Sequence, residues 1–241
     1  FVSIKQRLLG SENTPKIIKS ITDYLKNEFN VSIVPNSKIV SFDKYGHLFI
    51  EGREKQKYDY LLLAPARWGM VWLAEQCEKV GIQTRYEALD IGVRVEVPAI
   101  IMKQVCENVQ RDPKFHIITP KYRDFIRTFC VNHKGFVVKE NYEENIVGVN
   151  GHQITVDGES ENTNFAFLIR QELTSPLEDT TEYGRSISKQ TSILGGYKPL
   201  VQTLGDLKAG HRSRHSTINR NPIQPTLKDA TPGDIAMAYP Y

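Results

Sequence analysis

A continuous apolar run near residue 60 constrains the fold of this chain more than any other feature of the sequence. Residues 58–64 read Tyr-Asp-Tyr-Leu-Leu-Leu-Ala, and Pro65-Ala66-Arg67 ends the run. Such a run is typical of a strand covered on both faces, as in a parallel sheet. Ligands of doubly wound sheets bind at the carboxyl edge of the strands, where small residues let a cofactor approach the backbone. A plain strand-to-helix turn is the alternative interpretation.

The residues around this run predict the rest of an α/β unit. Thr14-Pro15 is typical of a helix start, and the following apolar spacing is helical. The apolar run 31–34 predicts a short strand, and residues 38–42 and 47–51 predict a hairpin around a turn at 43–46. Residues 68–80 return to a helical pattern.

The pattern changes after about residue 80. Residues 91–97 alternate between apolar and polar, which predicts a half-exposed strand. Glycines punctuate the later strands, which favours antiparallel pairing. The predicted strands are 115–119, 125–131, 135–140, 146–149 and 165–169. Helices are predicted over 180–194 and 198–207, followed by an irregular tail over 210–241. The sequence therefore predicts an α+β fold with two domains, 1–72 and 73–241.

Composition narrows the classes of partner. The chain has 241 residues, of which 40% are hydrophobic and 24% charged, as in globular proteins. Lys and Arg number 31 against 28 acidic residues, and this balance argues against nucleic-acid binding by bulk charge. Three cysteines cannot all pair and match no metal knuckle, so we expect a reducing, cytoplasmic setting. The sequence shows neither a stretch apolar enough to span a bilayer nor a signal-peptide pattern, so no membrane partner is expected.

The chain lacks the usual cofactor and hydrolase motifs. It contains no G-x-G-x-x-G, no P-loop, no G-x-S-x-G and no H-E-x-x-H. It opens on Phe1 and closes on Pro240-Tyr241, so we expect it to be part of a longer protein.

Several segments, taken in order, carry a resemblance to one family. After Ala64-Pro65-Ala66, residues 90–98 read Asp-Ile-Gly-Val-Arg-Val-Glu-Val-Pro, and Arg127-Thr128-Phe129-Cys130 precedes Gly-Phe-Val-Val at 135–138. Asn-Thr-Asn-Phe-Ala at 162–166, Pro-Thr-Leu-Lys-Asp at 225–229 and Thr-Pro-Gly-Asp at 231–234 follow. Together they resemble the uncharacterised FAD-dependent dehydrogenases, which are related to flavoproteins with two dinucleotide-binding domains.

The resemblance implies a cofactor and its contacts. In that class an Ala-Thr-Gly or Ala-Pro-Gly segment ends a strand beside FAD, which implies that Ala64, Pro65 and Ala66 face the cofactor. Ala66 stands where the family has glycine. Ile39, which follows Asn36-Ser37-Lys38, would contact adenine through its backbone. The family's Gly-rich phosphate loop and Gly-Asp-Gly segment fall outside this chain, so we expect the chain alone to retain no FAD and to be inactive.

Two residues of the second domain are candidates for the substrate side. Arg127 would anchor a charge, and Cys130 would be a redox thiol that the nearby arginine favours as thiolate. The alternative is that Cys130 is a small buried hydrophobe. Cys130-x-x-His133 lacks the further ligands that zinc needs, so no metal site is predicted.

A basic cluster and an alternating charge pair leave other interpretations open. The cluster would bind a carboxylate, a phosphate or the phosphate of NAD(P)H, or would simply be solvated. Its members are Lys208, His211, Arg212, Arg214, His215 and Arg220. No aromatic residues are interleaved, which argues against stacking on nucleic acid. Arg94 and Glu96 would orient a substrate acid or form a solvated face.

These observations predict part of a flavin-dependent oxidoreductase acting on a small molecule, with NAD(P)H as a candidate electron donor. A partial FAD-binding α/β sheet would be followed by an inserted, mostly antiparallel β domain with flanking helices. Two alternatives remain open. One is a non-catalytic module that binds an anion or RNA, and the other is a flavoprotein that acts on RNA.

Overall fold

The chain has an α+β fold made of two compact units. The computed structural model describes residues 9–109, 112–154 and 158–239. The smaller unit is Thr14–Arg85, and the larger unit is Tyr86–Tyr241 together with Phe1–Asn13. The domain boundary expected after residue 72 falls inside a helix, Met70–Lys79, of the smaller unit.

The smaller unit consists of two helices and an antiparallel ribbon. Helix α1 is Thr14–Phe29, and α2, Met70–Lys79, follows a 3-10 turn at Arg67–Gly69. The ribbon contains β1 (Ile39–Phe42), β2 (His47–Ile50) and β3 (Gln56–Lys57). The predicted first helix, the hairpin and the helix after the apolar run are confirmed.

The tight turn of this hairpin has a local cause. The Asp43 carboxylate accepts hydrogen bonds from the backbone N–H groups of Tyr45, at 2.8 Å, and His47, at 3.0 Å. Gly46 adopts a φ of 85°, which a side chain would strain. An aspartate that holds the backbone two residues on is a common turn device. The sequence around residues 43–46 therefore fixes the register of β1 against β2.

Two strand predictions in the smaller unit are wrong. Residues 31–34 are irregular, and residues 58–64 form no strand in the described chain. Over 58–64 the side chains alternate: Leu61 and Leu63 are half-buried, whereas Tyr60 is 96% exposed and Leu62 is 92% exposed. A strand needs a neighbour to take its backbone hydrogen bonds. Among the described residues only the Tyr58 N–H has such a partner, the Gly46 carbonyl at 2.9 Å.

No apolar side chain of the smaller unit is fully buried in the part of the chain that the structure describes. Gln76 is the one residue of this unit classed as buried, with 3% exposure. The apolar face of α1 is open, because Ile18, Ile21 and Tyr24 are each more than half exposed. A domain normally encloses its own hydrophobic core. By that criterion the smaller unit is incomplete by itself.

The larger unit is built on a four-stranded antiparallel sheet. Its strands, in spatial order, are β4 (Leu89–Pro98), β9 (Asn162–Gln171), β6 (Phe125–Asn132) and β5 (His116–Ile118). The hairpin of β7 (Phe136–Glu143) and β8 (Ile146–His152) accompanies it. Each strand predicted after residue 80 is present, and the antiparallel prediction is confirmed.

Helices and a short parallel pair complete the larger unit. The helices are α3 (Ala99–Asn108), α4 (Thr180–Leu194), α5 (Leu204–Lys208) and α6 (His215–Arg220). The predicted helix 180–194 is confirmed, but the one over 198–207 is wrong in its first part. There β10 (Leu200–Val201) pairs in parallel with β11 (Thr231–Pro232). The tail expected to be irregular contributes α6 and β11, and α3 was not predicted.

The buried apolar side chains all belong to the larger unit among the residues described. They come from β6, β7, β8 and the helices α3 and α4, with Ala238 near the end of the chain. Helix α4 lies against β8, where the Val147 N–H donates to Ser192 Oγ at 2.9 Å. This core fixes the sheet that carries the candidate site.

Candidate functional site

A β-bulge in β6 turns Cys130 out of the regular ladder. The register against β9 shifts between Phe129 and Asn132, and Cys130 has a left-handed φ of 51°. Bulges commonly re-aim a side chain beside an active site, and a non-glycine residue with positive φ is uncommon. Here the bulge presents the Cys130 carbonyl to Arg94 Nη1 at 3.2 Å, and Asn132 Nδ2 donates to Cys130 Sγ at 3.8 Å.

Arg94 is the centre of a set of neutral hydrogen-bond partners. Its Nη1 donates to Asn164 Oδ1 at 2.7 Å, and its Nη2 donates to Asn150 Oδ1 at 3.4 Å. Burial lowers the pKa of Arg94 from its ordinary value, while the neighbouring Cys130 raises it. The guanidinium nevertheless stays charged, because arginine begins from a pKa above about 12. Within the described chain this cation has no carboxylate in ion-pair contact.

Two asparagines complete the group, and one of them has an unused donor. Asn132 Nδ2 donates to the Cys130 carbonyl at 2.7 Å and to Asn164 Oδ1 at 3.4 Å. Asn164 is fully buried, and its Nδ2 has no partner among the described residues. We call Arg94, Cys130, Asn132, Asn150 and Asn164 the Arg94 cluster.

A glycine allows the neighbouring hairpin to lie against the Arg94 cluster. A Cβ atom at Gly151 would lie 1.9 Å from Asn132 Nδ2 and 2.5 Å from Arg94 Nη1. Real Cβ atoms do not approach other atoms so closely, so only glycine fits there without rearrangement. Strand β8 thus brings Asn150 within reach of the guanidinium because residue 151 has no side chain.

Arg127 lies on the same sheet face as Arg94 but has a different partner. The register places Arg94 opposite Ala166 and Arg127 opposite Leu168, and these two positions of β9 face the same side. Arg127 Nη2 contacts Asp90 Oδ2 at 2.5 Å. The cation beside the Cys130 thiol is therefore Arg94, whereas Arg127 is paired with a carboxylate; its role as a substrate anchor stays a prediction.

Sequence reasoning missed Asn132, Asn150 and Asn164 as members of the Arg94 cluster. One signal for Asn164 was available, because Asn-Thr-Asn opens β9 and asparagine is depleted in strands. Three fully or nearly buried polar residues at the start of a strand indicate a specific network. No local signal marks Asn132, since the bulge that places it depends on the partner strand.

Glu96 belongs to a separate contact that fixes the loop after α6. The Thr226 hydroxyl donates to Glu96 Oε1 at 2.5 Å, and Asn162 Nδ2 donates to the same oxygen at 3.3 Å. Asn162 also donates to the Gln224 carbonyl at 2.8 Å. Glu96 is thus used as an anchor for the chain near residue 226 and not as the hydrogen-bonded partner of Arg94.

The predicted cofactor-side residues lie in the smaller unit. Ala66 has φ 54° and ψ −159°, a region of backbone space that is almost exclusive to glycine. The turn after it is tight, since a Cβ at Gly69 would lie 2.3 Å from Pro65 Cβ. Position 66 therefore has a backbone conformation that favours glycine, the residue found at this place in the family that the sequence resembles.

Ile39 begins β1, and one contact joins this strand to α2. Ile39 pairs with Ile50 across the ribbon. The indole Nε1–H of Trp72 donates to the Val40 carbonyl at 2.9 Å. Trp72 stands in the first turn of the helix that follows Ala66. Ile39 and the segment 64–66 are therefore both close in sequence to the hydrogen bond between Trp72 and Val40.

The basic segment at 208–220 is anchored by one buried serine, and its basic side chains are exposed. Ser213 is 1% exposed and donates to Asp206 Oδ2 at 2.6 Å. The six basic residues of the segment are all exposed. In the described parts of the chain none of them forms an ion pair with a carboxylate. Nor do three potential metal ligands come together anywhere in those parts.

No protein-family model and no curated protein matches the chain. None of the described helices is long and apolar enough to cross a bilayer.

Proposed function

We propose that the chain is part of a flavin-dependent oxidoreductase, a FAD-dependent dehydrogenase. The smaller unit would contribute to the FAD-binding domain, and the larger unit would face a small organic substrate. When bound, the flavin supplies the redox chemistry, and the protein orients the substrate and excludes water. The backbone around Ala64, Pro65 and Ala66, together with Ile39, would line the cofactor. NAD(P)H is a candidate electron donor.

The observation that carries this proposal is the exposed apolar segment 58–64 with its glycine-type end. Within the described chain the backbone groups of residues 59–64 make no hydrogen bond, and Leu62 is 92% exposed. An extended segment of this kind is completed by neighbouring strands on either side. We infer that other strands of a FAD-binding sheet pack here, so that Ala66 lies at their carboxyl edge. The fit of these residues to FAD is incomplete, because the sequence has no Gly-rich loop to bind the pyrophosphate.

The test compares two exposed tyrosines in the full-length protein. Tyr60 lies in the apolar segment and Tyr45 in the turn of the hairpin, and they are 96% and 72% exposed in this chain. We expect full-length protein to hold about one FAD per chain, with Tyr60→Ser lowering this ratio severalfold and Tyr45→Ser leaving it unchanged. Flavin absorbance after gel filtration gives the ratio.

The chain alone provides the opposite control. Without a phosphate-binding loop at a helix start, it should retain no flavin absorbance after the same gel filtration. Tight retention of FAD by the chain alone, or equal loading of the two tyrosine variants, would contradict the proposal. A cytoplasmic location is part of the proposal and is supported by the three cysteines, which are all free.

A second candidate function is an anion- or RNA-binding module. The supporting observation is the exposed basic segment 208–220, whose basic residues form no ion pair with a carboxylate of the described residues. Phosphate contacts release counterions, so binding to an oligonucleotide would weaken steeply with salt. A flat or absent salt dependence would remove this candidate. A flavoprotein acting on RNA would need both a steep salt dependence of oligonucleotide binding and flavin loading.

A further inference from the structure

We propose that the Arg94 cluster is an anion-binding subsite on which the carboxylate of an acidic small molecule docks beside the Cys130 thiol. That the anion is the enzyme's substrate rests on the proposed function, whereas the subsite itself does not. The subsite would place the acid group on Arg94 and the rest of the molecule along the sheet face.

The first argument is an excess of hydrogen-bond donors. Arg94 and Asn132 donate to the Cys130 carbonyl and to the side-chain oxygens of Asn150 and Asn164, which are all neutral, and Asn132 also donates to Cys130 Sγ at 3.8 Å. The Nδ2 group of Asn164, in a residue with no exposed surface, has no acceptor in the described chain. Buried donors left without acceptors are costly, so native proteins rarely leave them unpaired. A site with surplus donors and a positive charge selects an anion.

The second argument is that one side of the guanidinium is weakly used. The contacts of Arg94 Nη2 with Asn150 Oδ1 and the Cys130 carbonyl are long, 3.4 and 3.5 Å, and the Asn150 contact lies on the exposed side. A carboxylate binds an arginine edge with two short, charge-assisted hydrogen bonds. It would therefore displace the Asn150 contact at little cost, while Nη1 stays fixed by Asn164 at 2.7 Å.

The third argument is that this cation is available and its neighbour is not. Arg127, on the same face, is already paired with Asp90 at 2.5 Å. Arg94 has no carboxylate in contact within the described residues, and Glu96 is held by Thr226 and Asn162. Desolvated cations without a carboxylate are unusual in proteins, which makes Arg94 the better anion receptor.

The experiment uses an anionic and a neutral alkylating reagent of nearly equal size. The Cys130 thiolate displaces iodide from iodoacetate or iodoacetamide: an S–C bond forms, the C–I bond breaks, iodide leaves with the electron pair, and the thiol proton goes to solvent. Mass spectrometry of peptides gives the rate at each cysteine. We expect the ratio of iodoacetate to iodoacetamide rates at Cys130 to exceed the ratio at half-buried Cys77 by about tenfold.

Variants assign this preference to one residue. Arg94→Gln should reduce the ratio at Cys130 to that of Cys77, and Arg94→Lys should restore part of it. Arg170→Gln, which removes a half-exposed arginine of β9, should leave the ratio unchanged. Cys106 is 3% exposed, so its continued lack of reaction in each variant verifies that the larger unit is folded.

Each outcome decides the proposal. Equal ratios at Cys130 and Cys77, a preference that survives Arg94→Gln, or a Cys130 that reacts with neither reagent would overturn the subsite. A preference for iodoacetate in a protein that never binds flavin would support the subsite and reject the flavin proposal. The two failures are therefore distinguishable.

Discussion

At the scale of single residues, Tyr239 shows how burial changes the pKa of a side chain. Tyr239 is largely buried, and its hydroxyl donates to the Gly92 carbonyl at 2.6 Å. Burial raises the pKa of this phenol to about 12, with a smaller contribution from Tyr142. The folded protein therefore holds the phenolic proton more tightly than the unfolded chain, whose tyrosines have a pKa of about 10.

The alkaline stability of the protein should reflect this difference. The contribution of Tyr239 is complete below about pH 10 and is lost as the pH rises through about 12, at up to about 1.4 kcal/mol per pH unit. In urea unfolding at pH 8, Tyr239→Phe should cost about 1 kcal/mol through the lost hydrogen bond. Between pH 10 and 12 the variant should lose less stability than the parent. If the free energy of unfolding changed with pH in the same way for both proteins, the raised pKa of Tyr239 would be refuted.

The backbone of Ala66 gives a second prediction at this scale. Replacing Ala66 by glycine should remove strain of about 1–3 kcal/mol, offset by about 1 kcal/mol of added unfolded-state entropy. We expect a net gain of stability, measured by hydrogen exchange of α2. Ala64→Gly, at a position without a left-handed φ, is the matched control and should bring no gain. Slower exchange of the α2 amides in Ala64→Gly than in Ala66→Gly would contradict the assignment of backbone strain to Ala66.

At the scale of elements, the packing of β8 against the sheet depends on Gly151. Gly151→Ala would drive a methyl group into Asn132 and Arg94, so we expect a loss of about 1–3 kcal/mol in the free energy of unfolding. Gly205→Ala is the control, because a Cβ there meets nothing closer than 3.9 Å. In helix α5 that change should be neutral or stabilising. Equal destabilisation by both changes would show that the close approach at β8 is unimportant.

Most elements of the larger unit could be predicted from the sequence, because their alternation and glycine punctuation are local signals. Helix α3 and the parallel pair β10–β11 were not predicted, and the pair depends on residues 31 positions apart. Of the two substrate-side candidates from the sequence, Cys130 lies in the Arg94 cluster and Arg127 is paired with Asp90. The roles expected of both residues stay predictions. Membership of the cluster depends on strand register and on the bulge, and neither is encoded within a few residues.

At the scale of the whole molecule, the two units should differ in protection from hydrogen exchange. The backbone amides of β4, β6 and β9 lie in a sheet with a buried core, whereas α1 has no buried residue. Local opening costs little where few apolar contacts are broken. We expect amides of α1 to exchange at least about a hundredfold faster than those of β9, by mass spectrometry of peptides. Equal protection would show that α1 is covered in solution.

The apolar run at residues 58–64 illustrates why the fold was only partly predictable at this scale. Its composition predicted a strand with partners on both sides; no strand forms in the described chain, and the expected partners stay a prediction. Apart from the hydrogen bond of the Tyr58 N–H to Gly46, the described chain pairs no backbone group of residues 58–64, and they form no strand.

The confinement of the buried apolar residues to one unit also decides what a calorimeter would register. The heat absorbed on melting, and its heat-capacity step, arise mainly from apolar groups that become hydrated. Thr14–Arg85 encloses almost none, so the transition observed for this chain would report the disruption of Tyr86–Tyr241. The apparent enthalpy per residue should accordingly fall below the value of about 0.7 kcal/mol usual for globular proteins near 60 °C.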